Sequence, residues 1–186
     1  KKCFKDFWAH DAKQEKIIFV EFIEWIYGLW LKDPSMHVYH YANYEIAAIR
    51  KLMGRYGVCE EKVDNLLRNR VFVDLYNIVR HGIMIGEPRY SIKNIEHIYR
   101  AARETDVASG GESIIVYENW RENPDGLTWQ TSKVLNSIRD YNIDDCDSTH
   151  ELAQWLRSEQ ARNNITYLLP DGEGETELPE QVTEIT

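Results

Sequence analysis

The chain has 186 residues, 43% of them hydrophobic and 12% aromatic, which suits one domain with a sizeable core better than two and excludes a disordered chain. The formal net charge of −9 excludes a protein that is basic throughout, yet six of the 31 acids fall after Pro170, where there is no base. The body that remains has 25 acids against 22 bases, a balance compatible with a local basic surface or with carboxylates neutralised by bound metal.

In chain order, KKCFKDFWAHD begins without Met, cap or turn and reads as the middle of something longer. Residues 11–32 read as a helix, within which IIFVEFIEWIYGLWL (17–31) carries Glu21 and Glu24 and is too polar to span a membrane. MHVYHY (36–41), after the Asp33-Pro34 break, has the composition of a strand. A helix follows over 43–57, with Ile46, Ile49, Leu52 and Met53 at helical spacing and an end at Gly54 or Gly57. EEKVDNLLRN (60–69) is a short helix, VFVDL (71–75) a second strand, and YNIVRHG one or two helical turns. Residues 89–102 space Ile92, Ile95 and Tyr99 as a helix with Ser91 as N-cap. Residues 112–122 and 131–140 are predicted helical, and a last helix runs from about Asn142 to Arg157. Strands alternating with helices predict an α/β fold with a parallel strand pair, and two strands are too few for an open sheet. No signal-peptide pattern is present, and Cys3, Cys59 and Cys146 are scattered, form no C-x-x-C pair and suit a reducing cytosol. A cytoplasmic protein with no membrane partner is the expectation.

Three acidic places stand out. In YNIDDCDSTHELAQWL (141–156), Tyr141 precedes Asp145 by one helical turn, and Asp144 and Asp147 crowd the same stretch. A phenol beside a carboxylate can hold a metal ion and orient its water; the other reading is a solvated helix start, where acids cap exposed N–H groups. Glu45 follows Tyr44 in the first turn of the 43–57 helix, at the C-terminal edge of the first strand, where ligand sites of α/β folds gather; a helix-start charge is the alternative. Asp74 ends the second strand and is either a site residue or a cap for the next helix.

Together these places resemble a family. YNIDDCDST resembles the Y-x-x-x-D motif of DEDD-type 3′-to-5′ exonucleases of the tyrosine subclass. HYANYEIAAI resembles their second motif, with Glu45 where Asp is usual, and VFVDL resembles the strand that carries a structural Asp between the two. The series FWAHD, YHYANYE, LMGRYG, FVDLY, YSIK and YNIDDCDST is similar, in the same order, to a RecB-like predicted nuclease family whose RNase H-like domain is fused to a DNA helicase. The resemblance covers about residues 4–160. It implies an RNase H-like domain over residues 1–160, a mixed sheet flanked by helices, and an acidic linker over 161–186. It implies a metal-dependent nuclease that hydrolyses DNA phosphodiesters from the 3′ end with two Mg²⁺ or Mn²⁺ ions in the complete domain, DNA as the nucleic-acid partner and a helicase domain in the full-length chain. By residue, it assigns Asp145 to the metal that carries the attacking water, Tyr141 to orienting that water, and Glu45 to the second metal. Asp144 and Asp147 would be supporting or capping groups. The family's first motif, Asp-x-Glu on a strand, is not found: Asp6 and Asp11 sit in polar, aromatic-broken sequence, and Glu21 and Glu24 lie in a helix. That strand is expected upstream of Lys1, and the fragment alone is expected to be a poor enzyme. The reading from another class is an inactive RNase H-like module that binds nucleic acid or docks a partner.

The remaining signals are weaker. His37 and His40 point to opposite faces of a strand and do not make a metal pair, although the family pattern keeps His40 near the site. Glu60-Glu61-Lys62 is an E-x-K, but in a helix start and not on the strand that restriction-type chemistry uses. Gly110-Gly111 reads as a turn. Arg50, Lys51 and Arg55, just beyond Glu45, either contact a nucleic-acid backbone or form a solvated face. Trp25, Trp30, Trp120, Trp129 and Trp155 read as core or interface.

Overall fold

The computed structural model describes residues 3–101 and 110–166, so the acidic segment from 167 onward lies outside the described residues. The chain divides into two compact units, one of Lys1–Asp6 with Ile85–Leu156 and one of Phe7–Met84 with Arg157–Thr186.

The Phe7–Met84 unit holds α1 (Ala12–Lys32), β1 (Val38–His40), α2 (Tyr44–Tyr56), α3 (Glu60–Arg68), β2 (Phe72–Asp74) and α4 (Leu75–Gly82). α1 starts where Asp11 accepts a hydrogen bond from the Gln14 N–H at 2.8 Å, which satisfies one of the helix's orphan donors. Its buried residues Phe19, Ile23, Ile26 and Trp30 recur at helical spacing, so one stripe faces the core while Glu21 and Glu24 point to solvent. Phe19 and Ile23 pack with Ile49 and Val63, and Ile26 and Trp30 pack with Leu66 and Val71. α2 ends at Gly57, whose left-handed φ of 56° lets its N–H close on Met53. β1 and β2 pair in parallel with Val38 opposite Phe72 and His40 opposite Asp74. They are the strands among the described residues.

The other unit is built on α7 (Lys133–Arg162), which belongs to it through Leu156, together with α5 (Ile92–Ile95), a 3-10 turn (Glu96–Ile98) and α6 (Gly110–Glu122). Ser91 caps α5 as its sequence suggests, accepting from Asn94 N–H. The segment does not continue as the long helix expected over 89–102: after one turn it tightens into the 3-10 turn. Gly110-Gly111 is likewise helical, in the first turn of α6, and not a turn.

The largest departure concerns α7. The two helices expected over 131–140 and 142–157 are one continuous helix of 30 residues. Its N-terminus is capped far upstream of the aspartates: Asp125 accepts from the Lys133 N–H at 2.8 Å and from the Ser132 hydroxyl, and Ser132 Oγ accepts from the Leu135 N–H at 3.0 Å. The turn that brings Asp125 there is close-packed. Trp120 donates its indole N–H to the Gly126 carbonyl at 3.0 Å, and a Cβ on Gly126 would lie 2.4 Å from the Thr131 carbonyl oxygen.

Candidate functional site

In the α7 unit the helix determines what YNIDDCDST can do. Residues 144, 145 and 147 lie inside a helix whose backbone N–H groups are already bonded to carbonyls four residues back, so capping does not account for them. Tyr141, Ser148 and Leu152 are buried on one stripe, and Asp145, half-buried, falls on that stripe one turn after Tyr141. Tyr141 has 8% of its surface exposed, and the Lys93 ammonium sits 5.5 Å from the centre of its ring. Thr149 donates its hydroxyl to the Asp145 carbonyl at 2.9 Å.

The neighbouring acids have other partners. Asp144 Oδ1 accepts from Arg100 at 2.7 Å, and Glu151 lies 3.3 Å from the same guanidinium. Burial works against the Arg100 charge, but the hydrogen bond and charge of Asp144 outweigh it and raise its pKa. Beside this pair, the Ser148 hydroxyl donates to the buried Glu96 carboxylate at 2.6 Å and lies 2.9 Å from the Tyr99 hydroxyl. Sequence reasoning missed Glu96, Tyr99, Arg100 and Ser148, and it quoted YSIK without giving Lys93 a role. The available signal was spacing: Asp144, Ser148 and Glu151 recur along one side of α7, and Glu96 and Arg100 are four apart. What joins the two sets is contact across 44 to 52 residues, which no local pattern contains.

In the other unit, Glu45 opens α2 and is half-exposed, with Oε2 3.8 Å from His40 Nδ1. The turn before it is strained. Ala42 takes a φ of 65°, a left-handed conformation disfavoured by its Cβ. Two side chains hold it there: His40 Nδ1 donates to the Ala42 carbonyl at 2.7 Å, and Asp74 Oδ1 accepts from the Ala42 N–H at 2.8 Å. The same Asp74 oxygen accepts from Tyr76 N–H at 2.9 Å, and its Oδ2 accepts from Asn77. Asp74 therefore caps α4, as its position predicts, and also ties the end of β2 to the turn after β1.

The other expected residues are readily placed. Arg50 and Lys51 are exposed on α2, while Arg55 is paired with Glu15 at 2.9 Å. His37 is exposed against Tyr39, and His40 is turned inward. Lys62 reaches Glu24 at 2.6 Å from the first turn of α3, which leaves no strand-borne E-x-K. Asp6 pairs with Arg139 at 2.6 Å, and Asp11 caps α1. Trp30 and Trp120 are core residues, whereas Trp25 is 39% exposed. Glu45 thus belongs to one compact unit and Tyr141 with Asp145 to the other.

A parallel strand pair with helices on its crossover, an acid opening the helix after the first strand and an Asp ending the second are consistent with an α/β domain of the RNase H-like type that lacks some strands. The chain belongs to the family RNase_H_2 of the RNase_H superfamily, whose model matches residues 1–157. Membership connects it, at the level of the superfamily, with nucleic-acid binding and cleavage and with divalent metal ions. Comparison with curated proteins and with solved structures finds no match. Asp145 and Glu45 are donors of the right kind for Mg²⁺ or Mn²⁺, which take carboxylate oxygens. Among the described residues no three His, Cys, Asp or Glu side chains come together as a possible metal cage. No helix among them is long and apolar enough to cross a membrane.

Proposed function

We propose that this chain supplies the nuclease domain of a RecB-like, helicase-linked protein and that it hydrolyses DNA phosphodiesters from the 3′ end in the manner of the tyrosine subclass. The observation that carries the reading is Asp145 on the inward stripe of a mid-helix segment, one turn from buried Tyr141. A half-buried carboxylate at such a position can serve as a cation ligand, and a capping role is unavailable there. In this reading Asp145 is a cation ligand, Glu45 is a ligand of a second cation, and the Tyr141 hydroxyl positions a water. A divalent cation, when bound, would stabilise charge that develops on the phosphodiester oxygens. The chain's own contribution is rigidity. α7 fixes Tyr141 and Asp145 to one face, and the Asp74–Ala42–His40 turn fixes the start of α2.

A second reading is an RNase H-like module that binds nucleic acid without cleaving it. Degradation of end-labelled single-stranded DNA in Mn²⁺ separates the two. The expected result is shortening from the 3′ end that falls by about a hundredfold or more in Asp145→Asn and in Glu45→Gln, the size of loss seen when a group acts on the transition state. No degradation by the folded full-length protein in Mn²⁺ would replace the first reading with the second.

A further inference from the structure

The most informative unassigned group in the α7 unit is Lys93. Ser91 caps the turn of α5 that carries it, and the exposed side chain lies with its ammonium 5.5 Å from the ring centre of Tyr141. A cation at that distance is held by the negative face of the phenol ring, so its position is tied to the residue that the proposed reaction uses. The surrounding charge is of the opposite sign. Asp140, Asp144, Asp145 and Asp147 all lie within about two turns of α7, and Arg100 meets Asp144 and Glu151. A phosphodiester approaching Tyr141 would meet a field of carboxylates, and Lys93 is a solvent-exposed positive charge placed beside that phenol.

We propose that Lys93 is a phosphate-gripping residue for single-stranded nucleic acid at Tyr141, its ammonium contacting a non-bridging phosphate oxygen of the strand. This rests on the nuclease reading for its location, but it concerns binding and is tested without cleavage. Lysine suits the role because a compact, rotatable ammonium meets a phosphate as a point charge. A contact of this kind carries no base information, so it strengthens binding to any sequence about equally.

The test uses a fluorescein-labelled oligothymidylate of about fifteen nucleotides, with EDTA present, followed by anisotropy from about 25 to about 150 mM NaCl. Lys93→Met keeps the apolar stem over the Tyr141 ring and removes the charge, and Lys93→Gln is the second variant if Met perturbs folding as read by thermal melting. Binding should weaken about fivefold or more at the low-salt end, and the slope of log K against log[salt] should become shallower by about 0.7, the value of one single-strand phosphate contact. Lys93→Arg should restore most of both. Unchanged affinity and slope in the folded Met or Gln variant overturn the proposal, because a residue that merely covers Tyr141 would behave in that way. Failure of the unsubstituted protein to bind the oligonucleotide overturns it as well. Asp145→Asn serves as the control for the nuclease reading: binding in EDTA should persist there while cleavage is lost. A protein that binds through Lys93 yet never cleaves would sink the catalytic reading and leave this one standing.

Discussion

The two acids that matter most to the proposed activity are held by opposite means. Glu45 follows a left-handed alanine in a turn between a three-residue strand and a 13-residue helix, kept in place by hydrogen bonds from His40 and to Asp74. Asp145 sits in the middle of a 30-residue helix with its own capping apparatus and a buried polar network alongside. A strained turn depends on a few side chains and can be undone by one substitution. A long helix spreads its support over many backbone bonds, so a single local loss moves it little.

The comparison is most easily broken at Asp74. Asp74→Ala removes acceptors for the Ala42 and Tyr76 N–H groups and for Asn77, and about 3 kcal/mol of stability should go with them, measured by urea unfolding. A loss below about 1 kcal/mol would mean that the turn before Glu45 is held by other contacts. Ser148→Ala tests the helix side. It leaves the buried Glu96 carboxylate without its 2.6 Å donor, and the expected cost is about 2 kcal/mol. Far-UV circular dichroism should still report the full α7; loss of helix signal would show that the network, and not the helix, is what holds Asp145.

Ala42→Gly sharpens the contrast from the other direction. Glycine accepts a φ of 65° without a Cβ clash, and relief of roughly 1 kcal/mol is partly offset by a more flexible unfolded chain. The melting temperature should therefore stay level or rise slightly, and a clear fall would show that the alanine is not strained. The smallest effect concerns pH. The Ser132 hydroxyl and then the Lys133 and Val134 N–H groups lower the Asp125 pKa, with burial acting against them. A carboxyl lowered in the folded state contributes stability above its unfolded pKa and loses it as pH falls through the folded value. Thermal melts should thus decline on the acid side of the ordinary carboxylate range, and Asp125→Asn should remove part of that decline. An identical acid limb in the variant would place the cap's strength elsewhere.

Much of the Phe7–Met84 unit was legible because its elements are short and bounded by local signals. Asp11 begins α1, Gly57 ends α2, and Asp74 begins α4. The expected parallel pair and the placement of Glu45 in the first turn of α2 follow from the same punctuation. The α7 unit was less legible. Asn142, Asp144, Asp145, Asp147, Ser148 and Thr149 are residues that compete for backbone hydrogen bonds and favour caps, so the sequence reads as a helix start.

What the sequence by itself determined, then, is the type and order of most elements, the motif series of an RNase H-like domain and the residues at the edge of β1. Those depend on contacts within a turn or two of the chain, where residue type acts directly on the backbone. Only tertiary structure decided that residues 133–162 form one helix, because burial of Tyr141, Ser148 and Leu152 on one stripe outweighs the local preference of six cap-forming side chains. Only tertiary structure decided, too, that Arg100 engages Asp144 and that Lys93 faces Tyr141. Those pairs are assembled by packing between segments distant in the chain, and nothing in the spacing along the chain encodes that contact.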